Sequence, residues 1–215
     1  MADDVKGRRA YHSPRRQEQA ALTRQQILEA AQGLFERQGY AATAMSAVAA
    51  EARVALKTVY LVFETKSGLL RALWDQLLGG ADDAVPVVDR PWYREMMAAP
   101  DARQILELNA RKSRMVKMRA AGLMRVIRDA AAADADAGEL WSLIQSEFHA
   151  NQATVVQALK DRHALRHGLS AERATDIVWT LNHPDVWQLL VVHCGWTPEA
   201  YQKWLAETFC AQLLG

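Results

Sequence analysis

The sequence predicts an all-α protein: an N-terminal three-helix head containing a helix-turn-helix, followed by a C-terminal helical body. Three observations lead there. Apolar residues recur at helical spacing from Ile27 to Leu213, and good helix-start signals precede most of these stretches. No segment shows the apolar–polar alternation or hairpin turn chemistry of strands. At 215 residues, half of them apolar, the chain can bury a substantial core. The expected divisions are a basic arm over 1–22, a head over 23–78 and a body over 79–215.

Residues 1–22 lack hydrophobic periodicity and read as a flexible arm. Its Arg8, Arg9, Arg15 and Arg16 suit DNA phosphate or a minor groove, or equally a solvated tail. Thr23-Arg24-Gln25-Gln26 has the spacing of a capping box, and Ile27, Ala30, Ala31, Leu34 and Phe35 form the stripe of a first helix that Gly39 ends. The stretch 43–70 then reads as two short helices joined by a tight turn and the start of another. Ala47, Val48 and Ala50 to Ala52 permit close approach; Val59 and Phe63, one turn apart, point to the core. Helices this short need tertiary packing, and the unit suits one helix laid in a DNA major groove and braced by its partner. Thr65 caps the next helix, which places Lys66 in a first turn suited to phosphate.

Gly79-Gly80 with Pro86 and Pro91 marks a loop between head and body. A short helix follows over 91–98, and Asp101 caps a helical stretch to about Ala133, divided near Ala120–Gly122. Its Arg111, Lys112, Arg114, Lys117, Arg119, Arg125 and Arg128 read as solvated flanks rather than a second DNA patch, because they are spread around the helix. Leu140, Ile144, Phe148, Val155 and Leu159 belong to a long helix ending at Gly168. Ser170 caps another, Pro184 kinks or restarts it, and Thr197-Pro198-Glu199 opens the last, whose stripe is Tyr201, Trp204, Leu205, Thr208, Phe209 and Leu213.

The residues Gly39-Tyr40, Thr43, Val48-Ala49, Ala52, Val54, Thr58-Val59-Tyr60, Phe63, Lys66 and Leu69-Leu70 resemble, in type and spacing, the helix-turn-helix of the tetracycline-repressor (TetR) family of bacterial regulators. The likeness runs from near Thr23 to near Leu73. Two positions depart from it: Arg53 stands where the family usually has Gly, and Ala55 where it often has Ser. The Gly supplies a left-handed backbone and the Ser caps the reading helix.

The resemblance implies a DNA-binding transcriptional regulator, a ligand-responsive repressor that binds a pseudo-palindromic operator as a homodimer. The candidate DNA contacts are Thr43, Tyr60 and Lys66 among the matching residues, Lys57 and Thr58 on the outward side of the second short helix, and Arg53, whose guanidinium suits the DNA backbone. By the same resemblance the last two long helices would form the dimer interface, with the stripes of 177–191 and 201–213 burying each other across a two-fold axis. An unknown small-molecule effector would occupy the body; Trp92, Met96, Met124, Trp141, Phe148, Trp179, Asn182, His183 and Trp187 are the candidates to line an apolar site with few polar groups.

Net charge is close to zero, but residues 1–70 hold ten Lys and Arg against seven Asp and Glu, which favours a nucleic-acid partner at that end. No run of 18 apolar residues or secretory leader occurs, and Cys194 and Cys210 are too few for a disulfide framework, so a cytoplasmic protein without membrane partners is expected. His163 and His167 stand four apart without a third ligand, and no phosphate loop or nucleophile motif accompanies them. No metal, cofactor or enzymatic activity is therefore expected. The rival reading is a helical small-molecule-binding protein or enzyme with a vestigial head, suggested by Arg53 and Ala55.

Overall fold

The computed structural model describes residues 14–79 and 91–215. The head consists of α1 (Pro14–Gln38), α2 (Met45–Glu51), α3 (Leu56–Phe63) and α4 (Lys66–Gly79). The body consists of α5 (Pro91–Met97), α6 (Ala102–Ala131), α7 (Ala135–Asp161), α8 (Ala171–Leu181), α9 (Pro184–Trp187), a π-helical segment over 188–193 and α10 (Pro198–Leu213). Among the described residues there is no strand, only an isolated bridge between Leu165 and Leu214. The all-α expectation holds.

Local chemistry fixes most boundaries. Asp101, Asp134, Ser170 and Thr197 each accept a hydrogen bond from the backbone N–H three residues ahead, as helix caps do. Pro184 and Pro198 occupy first helical turns. At the α3–α4 corner the chain comes so close to itself that a Cβ on Gly68 would lie 2.5 Å from the Phe63 carbonyl oxygen, so only glycine fits.

Several expectations need correction. Thr23 does not cap α1: the helix begins at Pro14, because Gln17-Glu18-Gln19-Ala20-Ala21 are strong helix formers that carry it through the capping pattern. Residues 14–22 are thus helical rather than part of a flexible arm, with Arg15 exposed; Arg8 and Arg9, like the linker beyond Gly79 up to Arg90, lie outside the described residues. The helix over 102–131 is unbroken at Ala120–Gly122. The following helix stops at Asp161, where His163 turns the chain with φ 54°, so His163 and His167 share no helical face.

Two apolar clusters make up the core. The first joins α1–α4 to the adjacent ends of α6 and α7 through Ala120, Leu123, Met124, Ile127, Leu140 and Ile144. The head is therefore packed onto the body rather than tethered to it. The second cluster gathers α5, the start of α6, the end of α7, α8, Trp187 and α10. The α10 stripe expected at a dimer interface, Tyr201, Leu205, Phe209 and Leu213, is fully buried within the protomer. What stays exposed is the segment before it, with Leu189 and Val192 more than half exposed.

Candidate DNA-reading head and effector cavity

The turn between α2 and α3 is a complete Schellman motif. Arg53 N–H donates to the Ala50 carbonyl at 3.1 Å and Val54 N–H to the Ala49 carbonyl at 3.0 Å. Arg53 sits at the left-handed position with φ 56°, so the turn keeps a shape normally given to glycine. Ala55 begins α3 with extended backbone and no side-chain cap. Val59 and Phe63 are buried beneath α3, while Lys57, Tyr60 and Leu61 are exposed and Thr58 is half-buried. Lys57, Tyr60, Leu61 and the edge of Thr58 thus make a single outward face of a braced helix, with the exposed Arg53 at its approach.

Two other expected DNA contacts are engaged internally. Thr43 is 1% exposed; its hydroxyl donates to the Gly39 carbonyl at 2.8 Å and accepts from Gln38 Nε2 at 3.1 Å. That side chain locks the α1–α2 turn and is not presented to DNA. Lys66 Nζ lies 4.2 Å from the centre of the Tyr40 ring and donates to the Ala41 carbonyl at 3.4 Å. Burial lowers its ammonium below the usual lysine range, with the Asp134 carboxylate opposing. Lys66 keeps partial exposure.

In the body, a cavity of about 240 Å³ lies where the two apolar clusters meet. Trp74 and Leu77 of α4 form one wall, Trp92, Tyr93 and Met96 of α5 another, and α6 and α7 supply Met124, Phe148 and Val155. Of the nine candidates, Trp92, Met96, Met124, Phe148 and Asn182 line it. The other four do not. Trp187 is core, edge-on to Tyr201 with ring centres 4.9 Å apart. Trp179 packs against His149 and His183. His183 caps α9 by accepting from Asp185 N–H and pairs with Gln145, and Trp141 stacks edge-on to it.

The polar end of the cavity was missed in the sequence. Asn109, Ser113 and Lys117 lie at successive turns of α6 on the same buried stripe as Leu106, Ala110 and Ala120. Lys117, read as a solvated flank, is 4% exposed and donates to Ser113 Oγ at 2.6 Å and Asn182 Oδ1 at 2.5 Å. Ser113 donates to the same Asn182 oxygen, while Asn109 and Asn182 both donate to Gln152 Oε1, at 3.3 and 3.4 Å. Burial pulls the Lys117 amine down to about 7. The four-residue spacing of 109, 113 and 117 in phase with the apolar stripe was the available signal.

Three other basic residues of α6 act as ties: Arg111 pairs with Glu95, Arg114 with Glu199 and Arg128 with Asp185. Head and body are also joined by polar contacts, Tyr40 O–H donating to Asp134 Oδ2 at 2.6 Å and Ser67 Oγ to Asp136 Oδ2 at 2.9 Å.

The described residues thus form a helix-turn-helix head packed on a helical body that holds a cavity. Residues 27–73 match the profile of bacterial regulatory proteins, tetR family, and the chain as a whole has the TetR-type fold. A structure of SmeT in complex with triclosan aligns at TM-score 0.69 with 17% identity, over 90% of this chain and 92% of that one. NalD, the secondary repressor of the MexAB-OprM multidrug efflux pump in Pseudomonas aeruginosa, aligns at 0.68 with 19% identity, over 92% and 98%. A transcriptional regulator from Saccharomonospora viridis in complex with choline aligns at 0.69 with 16% identity, over 91% and 99%. No curated protein sequence matches the chain. Among the described residues, no helix is long and apolar enough to cross a membrane.

Proposed function

We propose that this protein is a DNA-binding transcriptional repressor that acts in the cytoplasm as a homodimer on a pseudo-palindromic operator and is released by a small-molecule effector. One observation carries the ligand-responsive part: Trp74 and Leu77 of α4 wall the cavity, and the same helix starts at Lys66, beside the end of the reading helix α3. An effector that favours a different position of α4 shifts the head, and its differential affinity for the two arrangements is what drives release. The neighbours support this reading, one being a repressor and two having been solved with a small molecule bound. Against the rival of a vestigial head, the turn at Arg53 retains both Schellman bonds and α3 retains its buried face, although Ala55 leaves α3 without a side-chain cap.

The test is selection of bound duplexes from randomised DNA, followed by salt-dependent affinity of variants on the selected site. Lys57→Ala, Thr58→Ala and Tyr60→Ala are each expected to weaken specific binding by roughly 1–3 kcal/mol where a good contact is removed. Unchanged affinity in all three, or the recovery of no preferred sequence, refutes the assignment of this face.

A further inference from the structure

Lys117 is not explained by the packing of the body. Its ammonium is enclosed at the end of the cavity, and both of its hydrogen-bond partners are neutral. No carboxylate among the described residues pairs with it; besides its two neutral hydrogen-bond partners it meets only the Phe148 and Tyr201 rings, whose centres lie 5.9 and 5.7 Å from Nζ. An ammonium has three N–H donors, and two are used. The wider cavity lining also holds Arg119, Glu147 and Lys112, the last engaged over the Trp92 ring at 4.3 Å. Next to this polar end the wall is aromatic and aliphatic, with Trp92, Met96 and Phe148.

We propose that the effector is a small, mainly apolar organic anion, a carboxylate, whose charged group pairs with Lys117 while its hydrocarbon part lies among Trp92, Met96 and Phe148. This rests on the ligand-responsive reading above and adds the chemical class of the ligand. A carboxylate supplies the missing counter-charge and accepts the remaining N–H in a water-poor site, where charge-assisted bonds are strongest. The Ser113 and Asn182 side chains hold the amine in place to receive it. At about 240 Å³ the cavity lies just under the usual range of ligand sites, about 300–1,000 Å³, so one or two fused rings or a short acyl chain fit best.

The full-length protein is titrated with 2-naphthoate, its neutral isostere 2-naphthamide and the cation 2-naphthylmethylammonium, following tryptophan fluorescence and calorimetry. Naphthoate is expected to bind at least about tenfold more tightly than the amide, a difference of about 1.4 kcal/mol, and the cation not at all. In Lys117→Met the acid preference disappears while the amide still binds; in Lys117→Arg an acid preference persists. Equal binding of acid and amide, tighter binding of the cation, an undiminished preference in Lys117→Met, or no naphthoate binding at millimolar concentration overturns the proposal. Release from the selected duplex is read in the same samples. Naphthoate binding through Lys117 without release leaves the anion site standing and removes the ligand-responsive reading. Release by the amide alone keeps that reading and overturns the anion site.

Discussion

The Tyr40 hydroxyl lies 2.6 Å from Asp134 Oδ2, a bond that joins the end of the first head helix to the turn between the two longest helices of the body. Asp134 also caps α7 by accepting from Ala137 N–H, and the Tyr40 ring carries Lys66 over its face. One side chain thus links the start of α4, the end of α1 and the α6–α7 turn. The Tyr40 bond is the largest cause holding the Asp134 carboxyl below its usual range, while burial and the carboxylate push Tyr40 above its own.

Tyr40→Phe is expected to cost about 1 kcal/mol, the net worth of a typical hydrogen bond, without disturbing the α7 cap. The pH profile is the sharper readout. A carboxyl depressed in the folded state contributes stability above its unfolded value and loses it as pH falls, so the wild type should lose stability on acidification below about pH 4 more steeply than Tyr40→Phe. Thermal melts from pH 6 to 3 check this; superimposable profiles would remove the coupling.

Arg53→Gly should relieve the left-handed strain of a non-glycine residue, roughly 1 kcal/mol, and raise the melting temperature by about 2–4 °C for a chain of this size. The guanidinium is exposed at the approach to the reading face, where it is suited to DNA phosphate. Operator affinity and its salt dependence should therefore fall in the same variant. A lower melting temperature with unchanged affinity rejects this account.

Lys117→Met should stabilise the unliganded protein. The unfolded chain keeps this proton up to about pH 10.5, whereas the folded chain gives it up near 7. Folding therefore opposes protonation throughout that window, and wild-type stability should rise as pH increases from about 7 towards 10. The gain from Met is greatest at pH 7 and below, on the order of 2–4 kcal/mol, and shrinks as pH rises. Denaturant titrations of both proteins at pH 7 and 9.5 measure it; a variant less stable at pH 7 contradicts the enclosed charge.

Leu189 and Val192 are 58% and 57% exposed in the apolar run Leu189-Leu190-Val191-Val192, with Trp196 36% exposed beyond it. If this face carries the homodimer, Leu189→Glu and Val192→Glu should yield folded monomers with weakened operator binding, since each buried aliphatic side chain contributes about 1.5–3 kcal/mol. Truncation at Gly195 is a poorer test, because it removes Tyr201, Leu205, Phe209 and Leu213 from the core. Sedimentation of the two point variants decides: undiminished dimerisation moves the interface elsewhere.

The sequence by itself determined the features that depend on near neighbours. The helix-turn-helix is specified within some thirty residues by Val48, Val59 and Phe63 in phase with a tight turn, and the caps at Asp101, Ser170 and Thr197 by atoms three residues apart. Even the strain at Arg53 was legible, as a large side chain where the turn needs glycine. Tertiary structure decided what periodicity leaves open, namely which element each face meets. Lys117 looked like a solvated flank because one helix's sequence does not reveal that Asn182, from the end of α8 and itself held by Gln152 of α7, closes over it and Ser113. Trp179 and Trp187 looked like cavity candidates for the same reason, and partners brought by α7, α9 and α10 drew them into packing instead. A helix's sequence fixes its apolar face, but only three-dimensional packing fixes whether that face meets core, cavity or a second chain.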